Sequence, residues 1–190
     1  PSYHGMVWTE FAKAVGPIAY IVRARFVGLR DLGPALPPQS AFQIIQGLET
    51  VSLRMEKHCS NAAKVAEYLS NHNKVSRVIY AGLDEGEAGE RANKYLKGGH
   101  GALCGIELKG GKASGEKFIN NLNMFYHVAN IGDVRSLVIH PASTTHSQLS
   151  NEEQESAGVE PGLIRLSVGL ETLEDIITDL EWGFSEVKNM

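Results

Sequence analysis

Gly162-Leu163-Ile164-Arg165-Leu166-Ser167-Val168-Gly169-Leu170 is the stretch whose reading decides the fold of this chain. Apolar residues fill a short run between two glycines, which reads as a buried β-strand. One arginine interrupts that run. A guanidinium there costs free energy unless a partner meets it, and no acidic residue lies near Arg165 on the same strand face. Spacing leaves two readings open. Arg165 makes a structural ion pair with a distant carboxylate of the fold, or it serves an anionic ligand. Its planar fork suits a carboxylate held through two hydrogen bonds.

Working outward, Thr172 and Asp175 have capping-box spacing. The helix they open carries Leu173, Ile176, Ile177, Leu180, Phe184 and Val187 on one face. Ser150 and Glu153 repeat that spacing before a short acidic helix. Upstream, residues 75–80, 102–108 and 125–129 read as strands, the second entered through Gly98-Gly99-His100-Gly101 and closed by Gly110-Gly111. Residues 137–139 read as a short extended piece. Residues 87–96 and 112–122 read as helices, the latter with Phe118, Ile119 and Leu122 on one side. A long helix follows the turn at Gly33-Pro34-Ala35-Leu36-Pro37-Pro38, with a break allowed near Gly47. Val51, Met55, Cys59, Ala62, Ala66 and Leu69 form its apolar face at steps of three and four. Residues 8–31 read as helical, broken or restarted at Pro17. Strands separated by helices make an α/β or α+β domain.

The chain has 190 residues, 43% of them hydrophobic and 21% charged, so it is long enough for one well-buried core of ordinary composition. Net charge is −4 and no arginine- or lysine-rich stripe exists, which speaks against nucleic acid. The apolar stretch 15–22 is too short to span a bilayer and runs into Arg23, and no signal peptide is visible, so no membrane partner is expected. Cys59 and Cys104 read as reduced thiols, with a single disulfide left open by spacing. The chain begins with proline rather than methionine. Removal of an initiator, or a cut from a larger protein, would each produce that start.

No GxGxxG, P-loop, CxxC or HExxH is present. His140 and His146 lack the spacing and the partners of a zinc site, so no metal is expected. The segment Asn130-Ile131-Gly132-Asp133-Val134-Arg135-Ser136, with His140-Pro141-Ala142-Ser143-Thr144-Thr145-His146 behind it, is a loop dense in small amide and hydroxyl residues. Such a loop lets a ligand approach the backbone; a hydrogen-bonded irregular turn accounts for it equally well.

Several ordered motifs carry a resemblance along essentially the whole chain. They are Gly33-x-Ala35-Leu36-x-Pro38, Gly47-Leu48-Glu49-Thr50, Arg54-Met55-x-x-His58, Asn61-Ala62-x-x-Val65-Ala66, the run from Leu137 to His146, and Gly162 to Glu171. With them the chain resembles the C-terminal third to half of the Cys/Met-metabolism pyridoxal-phosphate enzymes. Asn130-Ile131-Gly132-Asp133 and the wording from His140 to Leu149 are most similar to the sulfhydrylase branch acting on O-acetyl-L-homoserine. In the cystathionine synthases and lyases the Asn130 position is typically serine and the Asp133 position glycine.

The resemblance implies the small C-terminal domain of a fold-type-I transferase, with about four mostly antiparallel strands packed by helices. Residues 1–50 would be a helical connector from a cofactor-binding domain, and residues 51–190 the C-terminal α/β domain. The resemblance implies pyridoxal 5′-phosphate as the cofactor. The family's lysine motif, Ser-x-Thr-Lys, is absent from this sequence, so no residue here is expected to bind the cofactor and the fragment alone is expected to be inactive. The position matching Arg165 grips the substrate α-carboxylate in the family, and Asn130 would lie beside the same carboxylate. Ser143, Thr144 and His146 would line the pocket. The whole protein would exchange acetate for sulfide or a thiol, giving homocysteine or methionine, as a cytoplasmic homotetramer. A methionine γ-lyase, a cystathionine γ-synthase or lyase, and a non-catalytic dimerisation or binding domain are the alternatives.

Overall fold

The computed structural model describes residues 3–187. The chain divides into two compact units, with the boundary between Glu49 and Thr50.

The first unit is helical. α1 spans Trp8–Val15. Pro17 then falls in a 3₁₀ turn, Gly16–Ile18, because proline supplies no N–H to an α-helical ladder. The chain restarts as α2, Ala19–Arg23, and continues into wider π-helical turns over Ala24–Asp31. Gly33, at φ 67°, ends this run. α3 spans Pro38–Glu49, its leading proline sitting where a helix has no use for the N–H. Ala19 is the one buried residue among those described in this unit, while Leu36, Phe42, Ile45 and Leu48 are exposed.

The second unit opens with α4, Val51–Ser70, which buries His58, Asn61, Ala62, Val65, Ala66 and Leu69. The expected stripe is correct in phase, but Val51 and Met55 stay exposed at its first turns, and two polar residues share the buried face. There follow β1 (Val75–Ile79), α5 (Gly86–Tyr95), β2 (Leu103–Leu108), α6 (Gly111–Asn120), β3 (Tyr126–His127) and β4 (Leu137–Ile139). A 3₁₀ turn (Pro141–Ser143), α7 (Asn151–Ser156), β5 (Leu163–Ser167) and α8 (Leu173–Ser185) complete it. Ser150 and Glu153 close a full capping box at α7. At α8 the hydroxyl of Thr172 instead donates to the Asp175 carboxylate, leaving no side-chain bond to the helix backbone.

The sheet has five strands in the order β1-β2-β5-β4-β3. The pairs β1–β2, β2–β5 and β5–β4 are antiparallel, and β3–β4 is parallel. The expected count of about four is corrected by residues 137–139, too short to show alternation yet seated between β5 and β3 and fully buried. The strand expected over 125–129 shrinks to two residues. The N–H groups of Asn123, Met124 and Phe125 go to the buried carboxylate of Asp179 on α8, at 2.8, 3.0 and 3.0 Å, and not to a ladder. Beyond His127 the chain folds into tight local turns, with Val128 N–H donating to the Tyr126 carbonyl and Asn130 N–H to the Val128 carbonyl.

Alternation on β2 and β5 sends Cys104, Ile106, Leu108, Ile164 and Leu166 to one face. There α4, α6 and α8 cover them with Ala62, Val65, Phe118, Ile176, Leu180 and Phe184. The opposite face carries Gly105, Leu163 and Arg165. Both cysteines are free thiols.

Candidate substrate-carboxylate site

Arg165 sits on β5, with Gly105 of β2 on one side and Ile139 of β4 on the other. Glycine at 105 places no side chain beside the guanidinium, and a Cβ there would press on Ile79 at 3.2 Å. Among the described residues no carboxylate forms an ion pair with Arg165. Its Nη2 donates to the backbone carbonyl of Asn130 at 3.1 Å. The guanidinium faces a cavity of about 670 Å³ that is also lined by Tyr80, Asp84, His100, Cys104, Thr145 and His146.

The structure brings three of the five expected site residues into this neighbourhood. Asn130 touches Arg165 through its main chain. Its side-chain carbonyl accepts the Ile131 N–H at 2.9 Å. His146 lines the cavity, and its Nδ1 lies 2.9 Å from the Thr145 hydroxyl. Ser143 and Thr144 are not among the lining residues; Thr145 is. The Thr144 hydroxyl donates to the carbonyl of His140 at 2.8 Å, and the Ser143 hydroxyl lies 2.8 Å from His140 Nδ1. His140 is itself buried. Its Nε2 lies 2.8 Å from the Pro161 carbonyl, an acceptor only, so Nε2 carries a proton and donates to it. A Cβ on Gly115 of α6 would come within 2.7 Å of that nitrogen. His140 therefore pins the loop to the helix layer.

Burial pushes the thiol of Cys104, on the helix-covered face of β2, up to about 12, so it stays protonated. Burial, with the two nearby thiols, also raises Tyr80. On the loop beyond Asn130, hydrogen bonds from Arg135 hold the Asp133 carboxylate below its ordinary range, and Arg135 lies 4.3 Å over the Tyr126 ring. No lysine is among the residues lining the cavity.

Reading the residues in order missed the polar groups that hold the loops. Gln154 of α7, 7% exposed, donates to the carbonyls of Ala142 and His146. Asn61 donates to those of Gly169 and Glu171. His58 Nδ1 lies 2.7 Å from the Val168 carbonyl. The Glu171 carboxylate accepts both the N–H and the O–H of Ser136. The detectable signal was a polar residue at a buried step of an apolar face, as at His58 and Asn61.

The sequence pattern of the family described as Cys/Met metabolism PLP-dependent enzyme matches residues 4–185. An O-acetyl-L-homoserine sulfhydrylase from Leptospira meyeri is 53% identical over 98% of this chain and 44% of its own length. An L-methionine gamma-lyase from Fusobacterium nucleatum is 48% identical over 86% of this chain and 41% of its own. A crystal structure named for an O-acetylhomoserine (thiol)-lyase of Campylobacter jejuni, containing N′-pyridoxyl-lysine-5′-monophosphate, superposes with a TM-score of 0.80. It is 41% identical and is matched over 98% of this chain and 43% of that one. The chain spans less than half the length of the curated relatives it matches. With the family pattern covering nearly every residue, the chain belongs to the Cys/Met metabolism PLP-dependent enzymes.

Proposed function

We propose that this chain is the C-terminal part of an enzyme that replaces the acetate of O-acetyl-L-homoserine with sulfide or a thiol, forming homocysteine or methionine. The observation that carries the reading is Arg165, which has no carboxylate partner among the described residues, is aimed by the Asn130 carbonyl, and faces a cavity. When bound, pyridoxal phosphate supplies an electron sink for the substrate carbons. This chain's share is positioning. Arg165 fixes the α-carboxylate, which orients the bond to be broken. The helical unit over residues 1–50 is the connector from a cofactor-binding portion, and residues 51–190 are the substrate-gripping domain. The relatives named for O-acetylhomoserine support the choice of acyl donor, and soluble, cytoplasmic, homotetrameric assembly fits such an enzyme. A methionine γ-lyase is the second reading, supported by the 48% identical relative.

The test is Arg165→Ala and Arg165→Lys in the full-length holoenzyme. Two charge-assisted hydrogen bonds are lost, so kcat/KM falls on the order of 10²- to 10³-fold, and lysine, lacking the fork, restores only part of it. Cofactor absorbance stays near that of the parent enzyme. Unchanged kcat/KM in Arg165→Ala would refute the carboxylate role. Activity with sulfide and O-acetyl-L-homoserine, against cleavage of methionine, separates the two readings.

A further inference from the structure

The guanidinium of Arg165 is aimed by a backbone carbonyl, so its direction is only as well defined as the loop that carries Asn130. Residues 128–132 of that loop are exposed, and so are Val134 and Arg135. Side-chain burial therefore does not hold it. It is tied to β5 at Gly132, whose N–H donates to the Ser167 hydroxyl at 3.4 Å, and it is held at its end, where Ser136 is fully buried. Both oxygens of the Glu171 carboxylate are used there: one accepts the Ser136 N–H at 2.7 Å and the other its O–H at 2.8 Å. The Ser136 oxygen in turn accepts the Gly169 N–H at 2.9 Å. Leu170 N–H donates to the Val134 carbonyl at 2.8 Å. Glu171 is itself fixed from the helix layer, because Asn61 donates to its carbonyl at 2.9 Å. Gly169 makes the clasp sterically possible: a Cβ there would lie 2.3 Å from the Glu171 carboxylate and 2.5 Å from the Ser136 nitrogen.

We infer that Glu171 is a positioning residue for substrate-carboxylate binding, acting through Ser136 and the Asn130 loop on the direction of Arg165. Glu171 is not among the residues lining the cavity, so it works at one remove. The inference rests on the carboxylate role of Arg165 given above. A buried clasp that merely stabilised the fold would affect all ligands alike. A clasp that aims Arg165 affects only ligands bearing a carboxylate.

The experiment titrates the full-length holoenzyme with L-norvaline and with butylamine, the same chain without its carboxylate, following cofactor absorbance. Glu171→Ala should weaken norvaline about tenfold, the equivalent of one hydrogen bond to a charged group, and leave butylamine within about twofold. Glu171→Gln keeps one acceptor for the Ser136 N–H and should recover part of the loss. If Glu171→Ala fails to fold, the norvaline-to-butylamine ratio of Glu171→Gln decides in its place. In an Arg165→Ala background Glu171→Ala should add nothing, since the two act in series. Equal weakening of both ligands, no weakening of either, or full additivity with Arg165→Ala would overturn the inference. Arg165→Ala losing the carboxylate preference while the Glu171 variants keep it would overturn the positioning role alone. Arg165→Ala keeping that preference would refute the underlying reading of Arg165, and this inference with it.

Discussion

Single polar atoms set Arg165 apart from the charged residues that hold the fold. Arg165 and Asp179 are both charged side chains in apolar surroundings, yet their circumstances differ. Asp179 is 1% exposed and spends its carboxylate on three backbone N–H groups, whereas the Arg165 guanidinium donates to a neutral carbonyl. The same contrast divides the thiols. Cys104 is 1% exposed with its pKa pushed up to about 12 by burial, while Cys59 on α4 is partly exposed. Iodoacetamide at about pH 8 should therefore label Cys59 and spare Cys104 in the native protein, since the thiolate is the nucleophile. Both should react in denaturant, as read by mass spectrometry. Equal native labelling would show that the β2–helix interface opens readily. The unfolded thiol releases its proton near 9.0 and the folded one near 12, so between those values the unfolded state binds fewer protons. Cys104 thus lowers stability as pH rises through that window and leaves it unchanged below. Arg165 was legible in the sequence because a charge inside an apolar run stands out. Glu171 and Asp179 were not, because an acidic residue at a helix start or within a helix looks like solvent-facing surface until its partner, 35 or 54 positions away, is known.

At the level of elements, helix and strand periods carried most of the information, and mismatches arose where a tertiary partner overrode them. β2 alternates throughout, and β5 does so from Leu163 to Leu166, because the helix-packed core lies on one face. β4, three residues long, gives no period and owes its strand form to its neighbours. The apolar face of α8 was readable from Ile176, Leu180 and Phe184, but its closeness to α6 was not. Gly183 sets that spacing: a Cβ there would lie 2.8 Å from Phe118 Cε2 and 2.9 Å from Leu122 Cδ2. Gly183→Ala therefore opposes two effects. Helix propensity gains about 1 kcal/mol, while overpacking against a fully buried ring costs about 1–3 kcal/mol. The overpacking dominates, so a net loss of about 1 kcal/mol should appear as a lower denaturant midpoint with unchanged m-value. A stabilised variant would mean that Phe118 moves aside freely.

In the second unit the sheet carries the helix-packed core on one face and Arg165, with its cavity, on the other. No helix among the described residues is long and apolar enough to cross a membrane. Since no lysine lines the cavity, pyridoxal phosphate mixed with this chain and reduced with borohydride should leave no stoichiometric adduct on one lysine. Peptide mapping would reveal such an adduct and, if it were found, the assignment of the cofactor anchor to another portion of the protein would fall. By itself the sequence determined the fold class, the places of β1, β2, β5 and the main helices, and the standing of Arg165 as a candidate. Those features follow from local period and from the cost of a charge among apolar neighbours, both of which act over a few residues. Only the tertiary structure decided that Asn130 meets Arg165 through its carbonyl, that Ser143 and Thr144 bond to His140 while Thr145 and His146 line the cavity, and that Glu171 clasps Ser136. Each of these is a choice among hydrogen-bond partners distant in sequence or close in a turn, and a donor's partner is set by where the packed core places it.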